Sequence, residues 1–398
     1  MAFLTPARTQ KARLLGLVLP LLAFMTLFFF LPVGNLLLRA VQEPELATLA
    51  PNLQHEIRLW PGGGMPPAPV LRAFRDDMAS LQRDRRAAVV AKRAGGIEPA
   101  YREMIMAAAR LAADDPAPEP QALLQADPLL QDPATWADLR QLFAPLTDGY
   151  LLATLDLTRD RVSGAITSVA PSEAIFVATL LRTLGISFSV TLICLALAYP
   201  LAFVIARQGP RMQALMLTFV LLPFWTSILV RSAAWLVLLQ SHGVVNDALI
   251  ALGAISEPLK LVYSRTGTLL AMVHIQLPFT FLPIYSVMKS VPESYMRAAA
   301  SLGARPFYSF RRIYLPQTLP GVAAGCLLTF ILCLGYYITP ALLGGPADQM
   351  LSYYVAYYLN QNVNWSMAAA VSLVLLLVTL VIYLAYVRLV PVLRQTES

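Results

Sequence analysis

Charge is scarce in this chain. Only 13% of its 398 residues are Asp, Glu, Lys or Arg, while 57% are hydrophobic. An average soluble domain carries roughly 25% charge, so a soluble globular protein is excluded and a bilayer protein indicated. Acidic residues are scarcest where the chain is most apolar. Outside residues 41–170 they are Glu173, Asp247, Glu257, Glu293, Asp348 and Glu397, all in loops or at the ends of apolar runs. A proton- or sodium-driven carrier normally keeps Asp, Glu or His at membrane depth, because such costly residues persist there when they move ions. Cysteine is equally sparse. Cys194, Cys326 and Cys333 all fall inside apolar runs, where they read as packed, unbridged thiols that say nothing about redox compartment. Also missing are a phosphate-cradling Gly-x-x-x-x-Gly-Lys-[Ser/Thr] loop, a paired-histidine metal helix and a Gly-x-Ser-x-Gly elbow. No catalytic residue and no metal ligand set is readable, and energy for any transport must come from elsewhere.

What the chain has is long apolar runs. A helix needs about 20 apolar residues to cross roughly 30 Å of hydrocarbon. Six runs qualify, from about Leu14 to Leu38, Ile175 to Ala206, Met212 to Leu239, Thr268 to Met288, Gly321 to Leu343 and Met367 to Val390. The first follows Arg8, Lys11 and Arg13 but is longer than a secretory signal core and has no small-residue cleavage site after it, so it reads as a retained anchor. Lys and Arg gather on the cytoplasmic side of membrane proteins. In a six-span arrangement Arg207, Arg211, Lys289, Arg297, Arg305, Arg311, Arg312, Arg388 and Arg394 fall on the same side as the N-terminal tail. Both termini are therefore expected in the cytoplasm.

Residues 41–170 fall on the opposite side and have soluble composition, with 13 basic against 17 acidic residues. Pro- and Gly-rich stretches at Trp60-Pro-Gly-Gly-Gly and Asp114-Asp-Pro-Ala-Pro read as turns. The segments around Val70–Ala94 and Pro99–Ala113 carry apolar residues at helical spacing in an Ala-, Leu- and Arg-rich background. A helical external insertion is expected, which either caps the bundle or receives a partner. His55 stands alone in it and reads as a surface histidine.

Apart from Arg388 at the end of the last run, three basic residues fall within the apolar runs. His274 precedes a kink at Gln276-Leu-Pro278 and reads either as a packing residue or as a substrate or proton contact. Arg182 is placed to snorkel to the outer interface. Arg231, in LLPFWTSILVRSAAW, sits deeper and needs backbone carbonyls or water to neutralise it. Trp225, Trp235, Tyr336 and Tyr337 are either interfacial anchors or aromatic faces for a passing cation.

The most informative stretch is YMRAAASLGARPFYSFRRIYLPQTLPG, residues 295–321, between two spans. Small Ala298, Ala299 and Ala300 can sit closely in a groove, Gly303 permits a sharp turn, and Pro316 and Pro320 open the next span. This is a surface on which a motor can push. Here the chain resembles the inner-membrane permeases of binding-protein-dependent ABC importers, whose loop reads Glu-Ala-Ala, three residues, Gly, nine residues, Ile-x-Leu-Pro. Ala298 and Ala299 fill the alanines, Gly303 the glycine, Ile313 the isoleucine and Leu315-Pro316 the last pair, with Ala304 after the turn, while Arg297 stands where the family has Glu. LAYPLAFVIAR, LPFWTSILVRSAAW, GVVNDALIALG, QLPFTFLPIYSVM and YYITPALLGGP are similar to the spermidine/putrescine branch.

The resemblance covers span one and about Phe176 onward, and not the insertion. It implies an all-α protein of the type I ABC importer permease fold, with six transmembrane helices and a helical periplasmic insertion between helices 1 and 2. Three parts are expected: 1–40, N-terminus and first helix; 41–170, insertion; and 171–398, core with a cytoplasmic coupling loop at 289–320. The implied function is an ATP-driven import permease in a bacterial inner membrane, moving a small organic cation, with polyamine as the preferred class. Iron, phosphonate or amino-acid-like solutes, an ion-coupled carrier and a membrane scaffold are the alternatives. Implied partners are two cytoplasmic ATPases that bind ATP-Mg, a second permease and a periplasmic binding protein; this chain itself needs no cofactor and no nucleic acid. Arg297, Ala298, Ala299, Gly303, Ala304, Ile313, Leu315 and Pro316 would form the ATPase-coupling loop. Trp225, Arg231, Trp235, His274, Tyr336 and Tyr337 are the candidates for the translocation path.

Overall fold

A computed structural model describes residues 16, 18–42, 44–114, 119–144, 146–160 and 164–395. Arg8, Lys11 and Arg13 lie outside the described residues. The chain divides into two compact units, one of residues 1–174 with 363–373 and the other of 175–362 with 374–398.

The first unit opens with α1 (Val18–Val41), long and apolar enough to span, and continues into α2 (Pro44–Leu49), α3 (Pro51–Leu59), α4 (Ala68–Arg83), α5 (Ala87–Ala94), α6 (Tyr101–Asp114), α7 (Pro133–Leu142) and α8 (Gly149–Ala153). The helical expectation holds, and the insertion has a core of its own. On α4 the buried Val70, Leu71, Phe74, Met78 and Leu81 recur every three or four residues, giving one apolar face. Phe74 meets Trp136 edge-on at 5.3 Å, and the Trp136 indole N–H donates to the Leu130 carbonyl at 2.7 Å. Gly62, Gly63 and Gly64 all take positive φ, which is why the predicted turn is made of glycine. One element was unexpected: a hairpin of β1 (Leu157–Arg159) against β2 (Ile166–Ser168), antiparallel.

Asp77 shows how the insertion is fastened. It is 3% exposed on α4 and accepts from the Leu53 backbone N–H at 2.7 Å and from Asn52 Nδ2 at 2.8 Å. It thereby satisfies an orphan donor in the first turn of α3. Burial nevertheless raises its pKa above the ordinary carboxylate value of 3.8, against the hydrogen bonds that lower it. A raised folded-state pKa means that Asp77 favours folding most below about 3.8 and loses that contribution as pH rises through the raised value. Asp77→Leu is expected to leave the buried Leu53 N–H unpaired at a cost of about 1–3 kcal/mol, read as faster hydrogen exchange in the 51–59 peptide. Asp77→Asn keeps both contacts once the Asn52 amide flips, so protection, taken as the intrinsic exchange rate over the observed rate at the same pH, should stay high and lose its dependence on pH above about 4. Equal exchange in both variants would refute this capping role.

The unit is closed by residues far along the chain. Arg93, with 8% of its side chain exposed, pairs with Glu45 at 2.8 Å and donates to the Val363 carbonyl at 2.9 Å. Val363 has φ +54, a left-handed conformation costly for a β-branched residue. Ser366 donates to the Gln42 carbonyl, and Ala40 packs with Ala369 and Ala370.

The second unit holds α9 (Phe176–Ala206), α10 (Pro210–Leu221), α11 (Ile228–Leu238), α12 (Val244–Ala251), α13 (Arg265–Ser290), α14 (Glu293–Ser301), α15 (Pro306–Leu334), α16 (Ile338–Leu343) and α17 (Leu351–Asn360). The last helix, α18 (Trp365–Gln395), is the fifth of the continuous helices able to span, with α1, α9, α13 and α15. The core is the packing of α9, α13 and α15. Gly321 and Gly325 let α15 approach α13 closely: a Cβ at Gly325 would stand 2.6 Å from the Thr280 carbonyl oxygen. Beside that contact Thr280 and Thr329 share a 2.6 Å hydrogen bond, and Tyr199 and Thr318 join α9 to α15 at 3.0 Å. Small residues and buried hydroxyls are how helices associate where lipid supplies no hydrophobic drive.

Two expected spans are corrected. The run 212–239 is not one straight helix: α10, with its 3-10 end at Leu222–Trp225, meets α11 at a 98° bend. Thr226 and Ser227 are extended there, and Ser227 Oγ caps the Val230 N–H. The fifth span is not 321–343 but Pro306–Leu334, with a π-helical stretch at Phe310–Tyr314, and the chain breaks at Gly335–Tyr337 before the short α16. Ile313, Leu315 and Pro316 therefore lie in the same helix as this candidate span.

Candidate coupling and translocation sites

Helix α14 starts after Pro292 and carries Arg297 and Ala298 on its exposed side, with Ala299 buried. Its end is a Schellman motif. Gly303 takes φ +81, its N–H donates to the Ala300 carbonyl at 3.0 Å, and the Ala304 N–H reaches back to the Ala299 carbonyl at 3.0 Å. No heavy atom would meet a Cβ at Gly303, so glycine is there for its backbone conformation alone. Around this turn Leu302 is 88% exposed and Phe307 75%, a projecting apolar surface. Glu293 and Arg297, one turn apart, form no ion pair.

The element is held on the end of α9 by a contact that sequence reasoning missed. The Arg207 guanidinium lies 3.4 Å from the Phe203 ring centroid and 4.8 Å from that of Tyr314, while Phe203 meets Phe310 edge-on at 5.6 Å. Met296 of α14 packs against the same cluster. The pairs Phe203/Arg207 and Phe310/Tyr314, each four residues apart, were the available signal.

A second constellation forms where two helices are interrupted. The buried Ser232 of α11 and Thr339 of α16 share a 2.8 Å hydrogen bond. One turn along α11, the Trp235 indole N–H donates to His274 Nδ1 of α13 at 3.1 Å. A neutral His274 therefore carries its proton on Nε2. Arg231 sits in the first turn of α11, one turn before Trp235. Its Nε is buried and has no hydrogen-bond partner. The structure thus brings together three of the six path candidates, Arg231, Trp235 and His274, while the half-buried Tyr336 has a hydroxyl without a hydrogen-bond partner. Trp225 is 76% exposed and Tyr337 40%, and neither takes part. Arg182 donates to the Gln349 carbonyl at 3.2 Å. Among the described residues no His, Cys, Asp and Glu cluster stands where it could hold a metal.

Comparisons with known proteins agree with this architecture. The model of the family described as the binding-protein-dependent transport system inner membrane component matches residues 198–395. The spermidine/putrescine transport system permease protein PotB of Haemophilus influenzae is 34% identical over 206 residues, 52% of this chain and 72% of that protein. PotB of Escherichia coli K12 is 31% identical over 216 residues, 54% and 78% of the two chains. The inner membrane ABC transporter permease protein YdcU of Escherichia coli K12 is 37% identical over 227 residues, 52% and 70%. The five long apolar helices and the bent pair are those of the type I permease fold. This chain belongs to the family of inner membrane components of binding-protein-dependent transport systems.

Proposed function

We propose that the chain is one of two permease subunits of an ATP-driven importer and lines the path of a small organic cation of the polyamine class. The single observation that carries the reading is the exposed α14 element, closed by Gly303, at the spacing that such permeases use to meet an ATPase. Two cytoplasmic ATPases supply the work of ATP-Mg hydrolysis, since the chain has no nucleotide-binding loop of its own. A companion permease completes the path, and a periplasmic binding protein delivers the substrate. The N- and C-termini lie in the cytoplasm, and residues 41–170 form an insertion on the periplasmic side, where they meet the binding protein. The names of the PotB relatives support the polyamine class. Trp235 adds an aromatic face beside the interrupted helices, and cation–π attraction there, about 0.5–2 kcal/mol, is weak enough to permit passage.

The test is reconstitution of the chain with its companion permease, ATPase and binding protein in liposomes. Uptake of radiolabelled spermidine or putrescine should require ATP and binding protein together. Uptake by this chain alone under a proton or sodium gradient would replace the reading with an ion-coupled carrier.

A further inference from the structure

We propose that the ATPase meets the outward face of α14 with an apolar seat and a carboxylate aimed at Arg297. The pairing rests on the reading of α14 as the ATPase contact. Arg297 is central to that face. Met296 and Ala299 turn inward, Met296 against the aromatic cluster at the end of α9 and Ala299 with only 5% of its surface exposed. Residues three and four apart share one side of a helix, so the side away from these two carries Ser294, Arg297, Ala298 and Ser301, all of them exposed. Three of the four are small. A partner can therefore approach the helix closely, and any surface that covers this side covers Arg297 with it.

An arginine covered in this way needs acceptors. Its guanidinium has five N–H donors and never gives up its charge, and a charge taken out of water without a counter-charge is costly. Among the described residues this chain offers no such acceptor there. Ser301 Oγ is spent on its own helix, donating to the Arg297 carbonyl at 3.1 Å. Glu293 lies one turn earlier, where the helix dipole favours an acid, and forms no ion pair with Arg297. It is the only acid in residues 289–312, against the exposed Lys289, Arg305, Arg311 and Arg312. The exposed Leu302 and Phe307 beside the Gly303 turn complete the demand. A partner that covers them excludes water, which strengthens a charge pair and raises the cost of an unpaired charge.

The experiment uses this chain with its companion permease in phosphatidylcholine nanodiscs, titrated with the purified ATPase. For Arg297→Glu the dissociation constant should rise at least about thirtyfold, because one member of a covered charge pair is left alone. Arg312→Glu changes the net charge equally and should raise it less than about threefold. With Arg297→Lys, a carbodiimide should join the peptide holding position 297 to an Asp or Glu of the ATPase by an amide bond, the carbodiimide leaving as its urea, and mass spectrometry locates the acid. Replacing that acid by Lys should restore binding to Arg297→Glu. If Arg297→Glu does not assemble with the companion permease, Arg297→Gln takes its place and must weaken binding in the same sense. Binding by the position 297 variant within the Arg312→Glu range, or no cross-link to an ATPase acid, overturns the pairing. So does weakening that appears only in nanodiscs with anionic lipid, which would give Arg297 to lipid phosphates. An ATPase that fails to bind the parent permease pair removes the coupling reading itself, and the pairing with it.

Discussion

Gly325→Ala is expected to lower the melting temperature of the detergent-purified chain markedly, and Gly185→Ala to leave it unchanged or raise it. Both glycines sit inside long spanning helices, so helix propensity favours alanine at each by up to about 1 kcal/mol. Their surroundings differ. A Cβ at Gly185 would meet nothing within 4 Å, whereas one at Gly325 would stand 2.6 Å from the Thr280 carbonyl oxygen. That oxygen is backbone of α13 and cannot swing aside as a side chain does. The helices must separate, which overpacking data put at about 1–3 kcal/mol or more, and the Thr280–Thr329 hydrogen bond beside the contact lengthens with them. Equal melting temperatures for the two variants would show that the α13–α15 contact does not hold the core.

Gly303→Val should behave in the opposite way, reaching the membrane and melting nearly as the parent does while ATP-driven uptake falls at least about tenfold. The left-handed backbone costs an L-residue about 1–2 kcal/mol, and φ at Gly303 is +81 with open space around it. The strain therefore falls on the turn itself. It is relieved by giving up the Ala304 N–H bond to the Ala299 carbonyl, which unwinds the end of α14 and turns the exposed Leu302 and Phe307 surface away from the direction proposed for the ATPase. Asparagine tolerates this conformation, so Gly303→Asn should retain most uptake. Normal uptake by Gly303→Val, or equal loss in both variants, would show that the turn does not set coupling.

Most of the spans, and the short helix closed by a glycine turn at residue 303, were legible because both are local. Twenty apolar residues in a row have few other fates, and a glycine between a small-residue helix and a proline has a readable backbone role. The bend at Thr226–Ser227 was not legible from hydropathy, because both arms are apolar and an average over a window is blind to chain direction. Pro223 and the capping Ser227 were the missed signs. The small-residue spacing Gly321-x-x-x-Gly325 was likewise in plain view and unused. Ile313, Leu315 and Pro316 were read as part of the connection between spans because the apolar run was started too late, although the helix that holds them continues from Pro306 through the π-helical stretch at Phe310–Tyr314. The Trp235–His274 bond joins residues 39 apart in sequence, and no period along one stretch of sequence announces such a meeting.

The clamp on Val363 has a consequence for biosynthesis. Arg93 and the carbonyl it captures are separated by 270 residues. At ribosomal rates of about 5–20 residues per second, the guanidinium waits about 14–54 s for that partner to be made. The helices of residues 44–114 are translated long before Val363 and Ser366 exist, so the first unit stands open at one side until the last spanning segment has been synthesised. A nascent chain stalled anywhere before residue 363 would carry Arg93 with Glu45 but without the Val363 carbonyl, and protease sensitivity around Arg93 would report how far synthesis had gone.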